Sequence, residues 1–478
     1  MSLNRKVYLL DPQKLPPETI AVTFAKTSRS PLSFQEIADE LTDEKSAAFH
    51  EKWVVGYGHS SVAEHAVLHI AVENVSRLAV ECLESNRLAS YTEKSTRYQK
   101  WGINNFHIPQ ELLQNQKLSE LYSKTNLTLF EVYLQSLPVV RKEIEKSYPI
   151  RNNENEDVWE RRIRSQYVDV CRYLLPASAL ANVGMTINAR ALEHAVRKML
   201  SHPLAEVRNM GSEIKAVSQN NVPTLVKYAD EVPYLRTVAQ KFIAESPTLP
   251  EGETNPEWCK LVSFDQDIEL IVLAALMVRF GNSSFDQNLD FLKSLSPKAL
   301  DSLKDEVTSQ LGKYDIPVRE LEYGSYTFDL LMDQGAYFEI KRHRMMTQTA
   351  QSLSTLNGYS LPKTIVDAGF EKEYHRAMAL AHQAYLEIAE WNPAVASYIV
   401  PNAYNRRLLL KANLRSLDHL CNLRTAENAH FSVRRITQRI AEEIDKTCPI
   451  AGRWVRRNPN ETWQGIEGNY FSETFCYP

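Results

Sequence analysis

The chain has 478 residues, of which 44% are hydrophobic and 24% are charged, with a formal net charge of -4 at pH 7. This balance excludes a disordered or fibrous protein, and the length predicts two to four domains. The slightly acidic charge argues against general binding to nucleic acid polymers or anionic membranes, so any phosphate binding must be local. No segment has the pattern of a signal peptide or membrane span, and we expect a cytoplasmic protein.

The first predicted element is a strand in the valine-rich, loosely alternating segment 66–75. His65 and His69 lie four residues apart beside it, but no further metal ligand accompanies them, and we expect no metal site. The cysteines show neither CxxC nor zinc spacing, which favours reduced thiols. The sequence lacks GxGxxG and GxxxxGK, so arginine side chains would have to bind any phosphate.

Residues 86–98 (NRLASYTEKSTRY) contain two arginines, two serines and a glutamate. A solvated surface would tolerate them, since Ser95 could cap a helix and Arg97 could pair with Glu93. A small anionic ligand would need a similar set, because arginine and hydroxyl groups donate charge-assisted hydrogen bonds to phosphate. Both interpretations stay open at this point.

The sequence contains an internal repeat. The segments starting at Tyr173 and Tyr398 align without a gap, and they share a proline, an asparagine, an arginine and a histidine at Pro176/Pro401, Asn188/Asn413, Arg190/Arg415 and His194/His419. This agreement indicates an ancient duplication. We therefore predict domain 1 at residues 1–244 and domain 2 at residues 258–478, joined by a linker at residues 245–257 that is rich in proline, glutamate and glycine.

Each copy of the repeat ends in a predicted helix. The apolar residues recur at spacings of three and four, as Leu192, Val196 and Met199 in one copy and Leu417, Leu420 and Leu423 in the other. The shared arginine and histidine then lie on the opposite side of each helix. Solvent exposure or a ligand-binding role would explain that position.

The segment GHSSVAEHAVLHIAVENVSRLAVECLESNRLASYTEKSTRY resembles the flavin-dependent thymidylate synthases, whose signature contains Arg-His-Arg and Glu-x-Ser-x-Arg. The resemblance covers most of both halves and implies an α/β (α+β) fold of two tandem domains, each a sheet packed with helices. It also implies FAD as cofactor, NADPH and methylenetetrahydrofolate as co-substrates, and methylation of dUMP. Because the family forms tetramers with shared active sites, two such chains would form a homodimer that imitates the tetramer.

The two halves depart from the family pattern in complementary ways. Domain 1 replaces Arg-His-Arg with Ser85-Asn86-Arg87 and has Met199 at the position of the arginine that acts on the pyrimidine, whereas domain 2 keeps an arginine there, Arg424. Domain 2 keeps Arg342-His343-Arg344 but has Ala350 and Ser354 in place of the glutamate and last arginine, and Ser397 in place of Arg172. One composite site would therefore be complete and the reciprocal one inactive.

The resemblance assigns roles to this composite site. The catalytic residue would be Arg424, stabilising negative charge on the uracil ring as hydride arrives. The substrate-binding residues would be Arg87, Glu93, Ser95, Thr96, Arg97 and Arg172. The cofactor-binding residues would be His59, Ser61, Arg342, His343, Arg344, Asn413, Arg415 and His419.

Two other functions stay open. The departures from the family pattern would suit a flavoenzyme that modifies another pyrimidine nucleotide. They would also suit a protein that binds FAD or a nucleotide without turnover. An RNA-binding role is disfavoured by the acidic balance and by the lack of a recognised basic and aromatic module.

Overall fold

The computed structural model describes residues 6–56, 60–97, 99–246, 257–312 and 314–478. The chain divides into two compact units, each assembled from three stretches of sequence. Unit 1 comprises residues 1–95, 106–119 and 178–249, and unit 2 comprises residues 96–105, 120–177 and 250–478. The units thus interleave along the chain, and the predicted domain boundaries stay a prediction about the sequence repeat.

In chain order, the helices of the described residues are α1 (Pro17–Lys26), α2 (Phe34–Asp39), α3 (Asp43–Phe49), α4 (Arg77–Glu84), α5 (Gln116–Ser147), α6 (Glu156–Cys171), α7 (Ala189–Leu200), α8 (Ala205–Ser218), α9 (Pro233–Glu245), α10 (Ile268–Phe280), α11 (Phe285–Ser294), α12 (Pro297–Glu306), α13 (Gln334–Ile340), α14 (Lys363–Asp367), α15 (Glu371–Trp391), α16 (Pro393–Ala396), α17 (Leu414–Arg424), α18 (Phe431–Thr447), α19 (Pro449–Trp454) and α20 (Trp463–Tyr470). The strands are β1 (Val67–Ser76), β2 (Ala89–Glu93), β3 (Leu180–Asn188), β4 (Cys259–Phe264), β5 (Ser325–Asp333), β6 (Thr347–Ala350), β7 (Tyr359–Pro362), β8 (Asn405–Asn413) and β9 (Phe471–Cys476).

Unit 1 is built on an antiparallel sheet in the order β1-β3-β2, and β1 is the strand that the valine-rich segment predicts. Helix α7 packs against α8 and β3. Its predicted apolar stripe of Leu192, Val196 and Met199 is fully buried. Each such side chain contributes about 1.5–3 kcal/mol of burial free energy, so this stripe fixes the helix on the unit.

Unit 2 contains an antiparallel sheet in the order β4-β5-β8-β6 and a separate ladder between β7 and β9. Helix α18 packs on β4 and β5 and also contacts α13, α17 and α20. Two of its central side chains, Ile436 and Ile440, are fully buried in the main core of the unit. The core therefore holds in place the helix ends that surround the site described below.

The two units repeat one arrangement. The strand order β5-β8-β6 in unit 2 matches the order β1-β3-β2 in unit 1. In both, the central strand ends at an asparagine that caps the next helix: Asn188 Oδ1 accepts a hydrogen bond from Ala191 N at 2.8 Å, and Asn413 Oδ1 accepts one from Ser416 N at 2.8 Å. The predicted α/β (α+β) fold of two tandem domains is confirmed.

One residue of the predicted apolar stripe on α17 is not buried. Leu417 and Leu420 are buried on α17, but Leu423 is 47% exposed. Leu423 lies one residue before the end of the helix, where the periodic pattern continues but the side chain is left about half exposed. The six cysteines are free thiols. None of the helices in the described part of the chain is long and apolar enough to cross a membrane.

Candidate active site

Four arginines and two carboxylates converge within unit 2. We call this set the arginine cluster, and its members are Arg97, Arg172, Arg342, Arg424, Asp169 and Glu339. Each member lies at or near the end of a helix or strand, where local structure fixes its backbone. Arg172, for example, follows α6 directly and opens a short 3-10 turn.

Arg97 lies in the turn after β2 and binds Asp169 through a two-pronged contact. Arg97 Nε lies 2.9 Å from Asp169 Oδ1, and Nη2 lies 2.7 Å from Oδ2. The third nitrogen, Nη1, donates to the main-chain oxygen of Asn428 at 3.0 Å. Such paired contacts set the plane of a guanidinium as well as its position, so Arg97 is held rigidly at the edge of the cluster.

Arg172 is the most deeply buried arginine of the cluster, with a side chain only 5% exposed. Its Nη1 donates to Thr96 Oγ1 at 3.1 Å, and its Nε lies 3.5 Å from Asp169 Oδ1. Both Nε and Nη2 are buried and have no hydrogen-bond partner among the described residues. A buried donor without an acceptor costs about 1–3 kcal/mol, and more when it is charged. The site therefore presents an unfilled requirement for an acceptor.

Arg424 ends α17 and is held from two sides. Its Nη1 donates to Glu339 Oε2 at 2.6 Å, and its Nε donates to His343 Nε2 at 3.0 Å. Within the described part of the chain, Nη2 makes no hydrogen bond. The ring of His419 lies 5.3 Å from that of His343, on the exposed side of the helix. One edge of the Arg424 guanidinium is thus available to a ligand.

The electrostatics of the cluster favour an anion. Burial raises the pKa of Glu339, but Arg424, Arg172, Arg342 and Arg97 outweigh this effect and hold the pKa below its usual value. Burial and Arg424 lower the pKa of His343 to about 3, so its ring is neutral at pH 7. Four cationic side chains against two carboxylates leave an excess of two positive charges, which matches the charge of a phosphate monoester.

The pKa of His430, which lies beside the cluster, is also lowered. The causes are burial, then Arg172 and Arg97, and the pKa falls well below the usual value for histidine. Its Nε2 lies 3.4 Å from the main-chain oxygen of Asp169. His430 is thus a neutral partner of the cluster rather than a fifth cation.

The predicted cofactor-binding residues of unit 2 are only partly gathered. Arg342 is exposed and Arg344 is half-buried in the turn after α13. Asn413 is occupied as the cap of α17. Arg415 Nη1 donates to Glu322 Oε1 at 2.6 Å and Nε donates to the main-chain oxygen of Pro317 at 3.1 Å. Arg415 is thus engaged in a local ion pair.

The predicted residues that fall in unit 1 have different surroundings. Glu93 pairs with Arg77 at 2.8 Å, and both side chains are only 3% exposed. Arg87 is exposed and Ser95 is half-buried. Ser61 lines a pocket of about 620 Å³ together with Phe24 and other side chains. His59 lies outside the described residues.

Unit 1 fills the position of the Arg-His-Arg motif with a hydrogen-bonded set that contains no arginine–carboxylate pair. Lys198 Nζ donates to Asn86 Oδ1 at 2.9 Å and also to Ser85 Oγ. Asn86 Nδ2 donates to the main-chain oxygen of Leu83 at 2.9 Å. Burial lowers the pKa of Lys198, and Met199, beside it on α7, is fully buried. Lys198, Ser85 and Asn86 thus find hydrogen-bond partners within unit 1.

Sequence reasoning missed Asp169, Glu339 and His430. Asp169 and Glu339 each precede an arginine of the cluster by three residues, Arg172 and Arg342 respectively. On a helix this spacing brings a carboxylate and a guanidinium to one face. The spacing is therefore the sequence pattern from which Asp169 and Glu339 could have been predicted as partners of the arginines. His430 gave no such signal, because only the fold brings it beside Asp169.

The repeated sheet-and-helix unit and the positively charged cluster define a tandem α/β protein with one candidate anion site in unit 2. The family model described as thymidylate synthase complementing protein matches residues 10–224 and 260–450. The chain therefore belongs to that family, the flavin-dependent thymidylate synthases, as a tandem member with one match in each half.

The relatives fall into two length classes. The UPF0159 protein of Chlamydia pneumoniae is 31% identical and covers 94% of this chain and 91% of its own length. The UPF0159 protein of Thermoplasma acidophilum is 26% identical over 86% of this chain and 89% of its own. The flavin-dependent thymidylate synthase of Clostridium tetani is 26% identical over only 45% of this chain but 82% of its own. Relatives of the first kind thus share the two-domain length.

Solved structures also match about half of the chain. The flavin-dependent thymidylate synthase of Helicobacter pylori, in complex with FAD and dUMP, covers 45% of this chain and 96% of its own length. The sequence identity is 18% and the TM-score is 0.31.

Proposed function

We propose that this protein is a flavin-dependent thymidylate synthase-like enzyme that methylates dUMP to dTMP with methylenetetrahydrofolate and NADPH. Membership of the family and the name of the Clostridium tetani relative support the reaction class. The observation that carries the assignment of the site is the buried Nη2 of Arg172, which lacks an acceptor within a cluster that has an excess of positive charge. A nucleotide phosphate would supply that acceptor.

The phosphate would bind between Arg97 and Arg172. Asp169 orients the Arg97 guanidinium through two hydrogen bonds and lies 3.5 Å from Nε of Arg172, whose Nη1 donates to Thr96. A site that is organised before the ligand arrives does not have to order its side chains on binding. Arginine suits this role because it stays charged and donates in a fixed plane.

The uracil ring would lie against Arg424. Hydride addition at C6 places negative charge on the ring carbonyls, and the available edge of Arg424 would stabilise that charge more strongly than it binds the neutral ring. Removal of one such donor commonly lowers the rate about 10²–10³-fold. Arg424 is the catalytic residue in this proposal.

The donor set around the cluster fits FAD in part. Arg342 and Arg344 place two guanidiniums in the exposed turn beside His343, where they could bind a pyrophosphate. Arg415 would first have to leave Glu322, and Asn413 would have to serve as a helix cap and a ligand together. When bound, FAD would supply the hydride. The chain itself would bind and orient the nucleotide.

A second candidate keeps the site and changes the base. Glu339 places an ionised acceptor beside Arg424, and an acceptor next to a donor would also match the exocyclic amine and N3 of a cytosine ring. Such a protein would be a flavoenzyme that modifies another pyrimidine nucleotide. A protein that binds nucleotide without turnover is the remaining outcome.

Hydrogen release from C5 of dUMP tests the proposal. Purified protein with FAD, NADPH and methylenetetrahydrofolate is expected to release tritium from C5-labelled dUMP, and Arg424→Ala is expected to lose this activity. Met199→Ala, at the equivalent position of unit 1, is the matched control and should keep it. Release from labelled deoxycytidine monophosphate alone would favour the second candidate. Binding of dUMP with no release from either nucleotide would leave a binding protein.

We further propose a cytoplasmic homodimer that imitates the tetramer of the family. Sedimentation of the purified chain at assay concentrations should give twice the mass of the 54.8 kDa chain. An active monomer would contradict the dimer but leave the site assignment intact.

A further inference from the structure

Arg424 has two hydrogen-bond partners, Glu339 and His343. Unit 1 has a methionine at the position equivalent to Arg424, and it also has different residues at the positions equivalent to both partners. In unit 2, Glu339 and His343 lie six and ten residues after Asp333, which caps α13. In unit 1, the positions six and ten residues after the equivalent cap, Ser76, are Cys82 and Asn86. Arg424 itself lies eleven residues after the cap Asn413, and Met199 lies eleven residues after Asn188.

The contacts explain why these three positions change together. In unit 2 the three side chains form one hydrogen-bonded set, because Glu339 and His343 both accept hydrogen bonds from Arg424. In unit 1 the arginine is absent, and burial raises the pKa of the Cys82 thiol to about 11, so the thiol is neutral at pH 7. The cation beside Cys82 is Lys198, which donates to Asn86 and Ser85, so a carboxylate at position 82 would lack the arginine partner that Glu339 has in unit 2. The ion pair of Arg77 and Glu93 in unit 1 also changes as a pair, since both partners are replaced by uncharged residues in unit 2, Gln334 and Ala350.

We infer that Glu339 and His343 are positioning residues for Arg424, resting on the proposed function of the cluster as the dUMP site. Glu339 fixes Nη1 and His343 fixes Nε, so that Nη2 is the donor presented to the substrate. His343 can accept at Nε2 only as a neutral ring, and its surroundings keep it neutral. Sequence resemblance assigned His343 to the flavin instead.

Glu339 also has a cost for nucleotide binding. Its carboxylate is part of the cluster and removes one positive charge from the excess that would attract phosphate. A carboxylate kept at that position is therefore expected to serve turnover rather than affinity. Removal of the Glu339 charge is therefore expected to keep or strengthen dUMP binding but to lower kcat.

The test is a cycle of Glu339→Gln, Arg424→Ala and the double variant. Glu339→Gln is expected to bind dUMP as tightly as the natural protein or up to about tenfold more tightly, because a repulsive charge is gone, while kcat falls about 10²-fold because Arg424 is no longer fixed. Addition of Glu339→Gln to Arg424→Ala should cause no further loss of kcat, since Glu339 acts through Arg424. His343→Gln, which keeps an acceptor, should retain more activity than His343→Leu. Cys82→Ser is the matched control in unit 1 and should change neither binding nor rate.

Thermal unfolding separates this inference from the proposed function. Each single variant leaves a buried charge or donor without its partner, so the double variant should melt above Arg424→Ala alone. That result, in a protein that neither binds nor converts dUMP, would support the contact and reject the proposed function. Additive losses of Tm and of kcat, or weaker dUMP binding in Glu339→Gln, would overturn the positioning role.

Discussion

At the scale of single residues, the arginine cluster contains buried groups that lower the stability of the fold but suit the binding of an anion. Arg172 keeps Nη2 buried without an acceptor, although a more apolar side chain would fill the same space at lower cost. His343 and His430 are held neutral between arginines. Positions where a local rule of packing is broken are expected at functional sites, and each gives a measurable trade between folding and binding.

Arg172→Met tests this trade directly. Methionine is of similar length and removes the unpaired donor, so Tm is expected to be unchanged or to rise, while dUMP affinity falls about 10²-fold or more because a charge-assisted contact is lost. Calorimetry of binding and of unfolding measures both. Arg190→Met, at an exposed arginine of unit 1 paired with Glu64, should change neither. A large fall in Tm of Arg172→Met would show that Arg172 is structural.

His343 predicts an acid sensitivity. Its folded pKa is about 3, against about 6.5 in the unfolded chain, so between these values the unfolded state binds more protons. Stability therefore falls as pH decreases below about 6.5, with a slope of up to about 1.4 kcal/mol per pH unit from this residue. His343→Gln, which cannot titrate, should show a shallower slope in urea unfolding between pH 7 and pH 4. Equal slopes would contradict the assignment.

At the scale of elements, the asparagines shared by the two halves have a structural explanation. Asn188 and Asn413 cap α7 and α17 with the same 2.8 Å hydrogen bond. This cap sets where each helix starts, and in unit 2 it therefore sets where Arg424 falls at the other end. The repeat in the sequence is thus in part a repeat of helix geometry.

Substitution of these caps distinguishes geometry from ligand binding. Asn413→Ala and Asn188→Ala are each expected to lower the free energy of unfolding by about 0.5–2 kcal/mol, and Asn413→Ser should restore most of the loss because serine also caps helices. FAD absorbance after dialysis gives the second readout. If Asn413→Ser keeps stability but loses FAD, Asn413 also contacts the cofactor. If it keeps both, the cap accounts for the residue.

The elements also show what the sequence could predict. β1 and the stripe of α7 follow from local periodicity; the stripe of α7 is fully buried, and β1 has Leu68 and Val75 buried. Leu423 fits the same period and is exposed, since periodicity does not say where the neighbouring element ends. Asp169 and Glu339 resemble ordinary surface ion pairs in sequence. Their burial against Arg97 and Arg424 depends on packing between segments far apart in the chain.

At the scale of the whole molecule, the segment after the family match ties itself into unit 2. The match ends at residue 450, yet β9 pairs with β7 and α20 packs on α18 beyond that point. Tyr470 stacks on Phe431 at 5.1 Å between ring centroids, and Phe431 stacks on His430 at 4.2 Å. This segment thus supports the histidine that lies beside the arginine cluster.

Glu467 is the residue through which this support is best tested. It pairs with the buried Arg435 of α18, whose guanidinium also lies 3.7 Å from the ring centroid of Trp258. Glu467→Gln leaves Arg435 without its carboxylate, and because Glu467 is partly exposed we expect a loss of roughly 1–3 kcal/mol. Chemical unfolding measures this loss, and Glu473→Gln, at an exposed residue of β9, is the control. If the segment only covers the surface, dUMP affinity of Glu467→Gln will match the natural protein. If it supports the cluster through α18, affinity will fall together with stability.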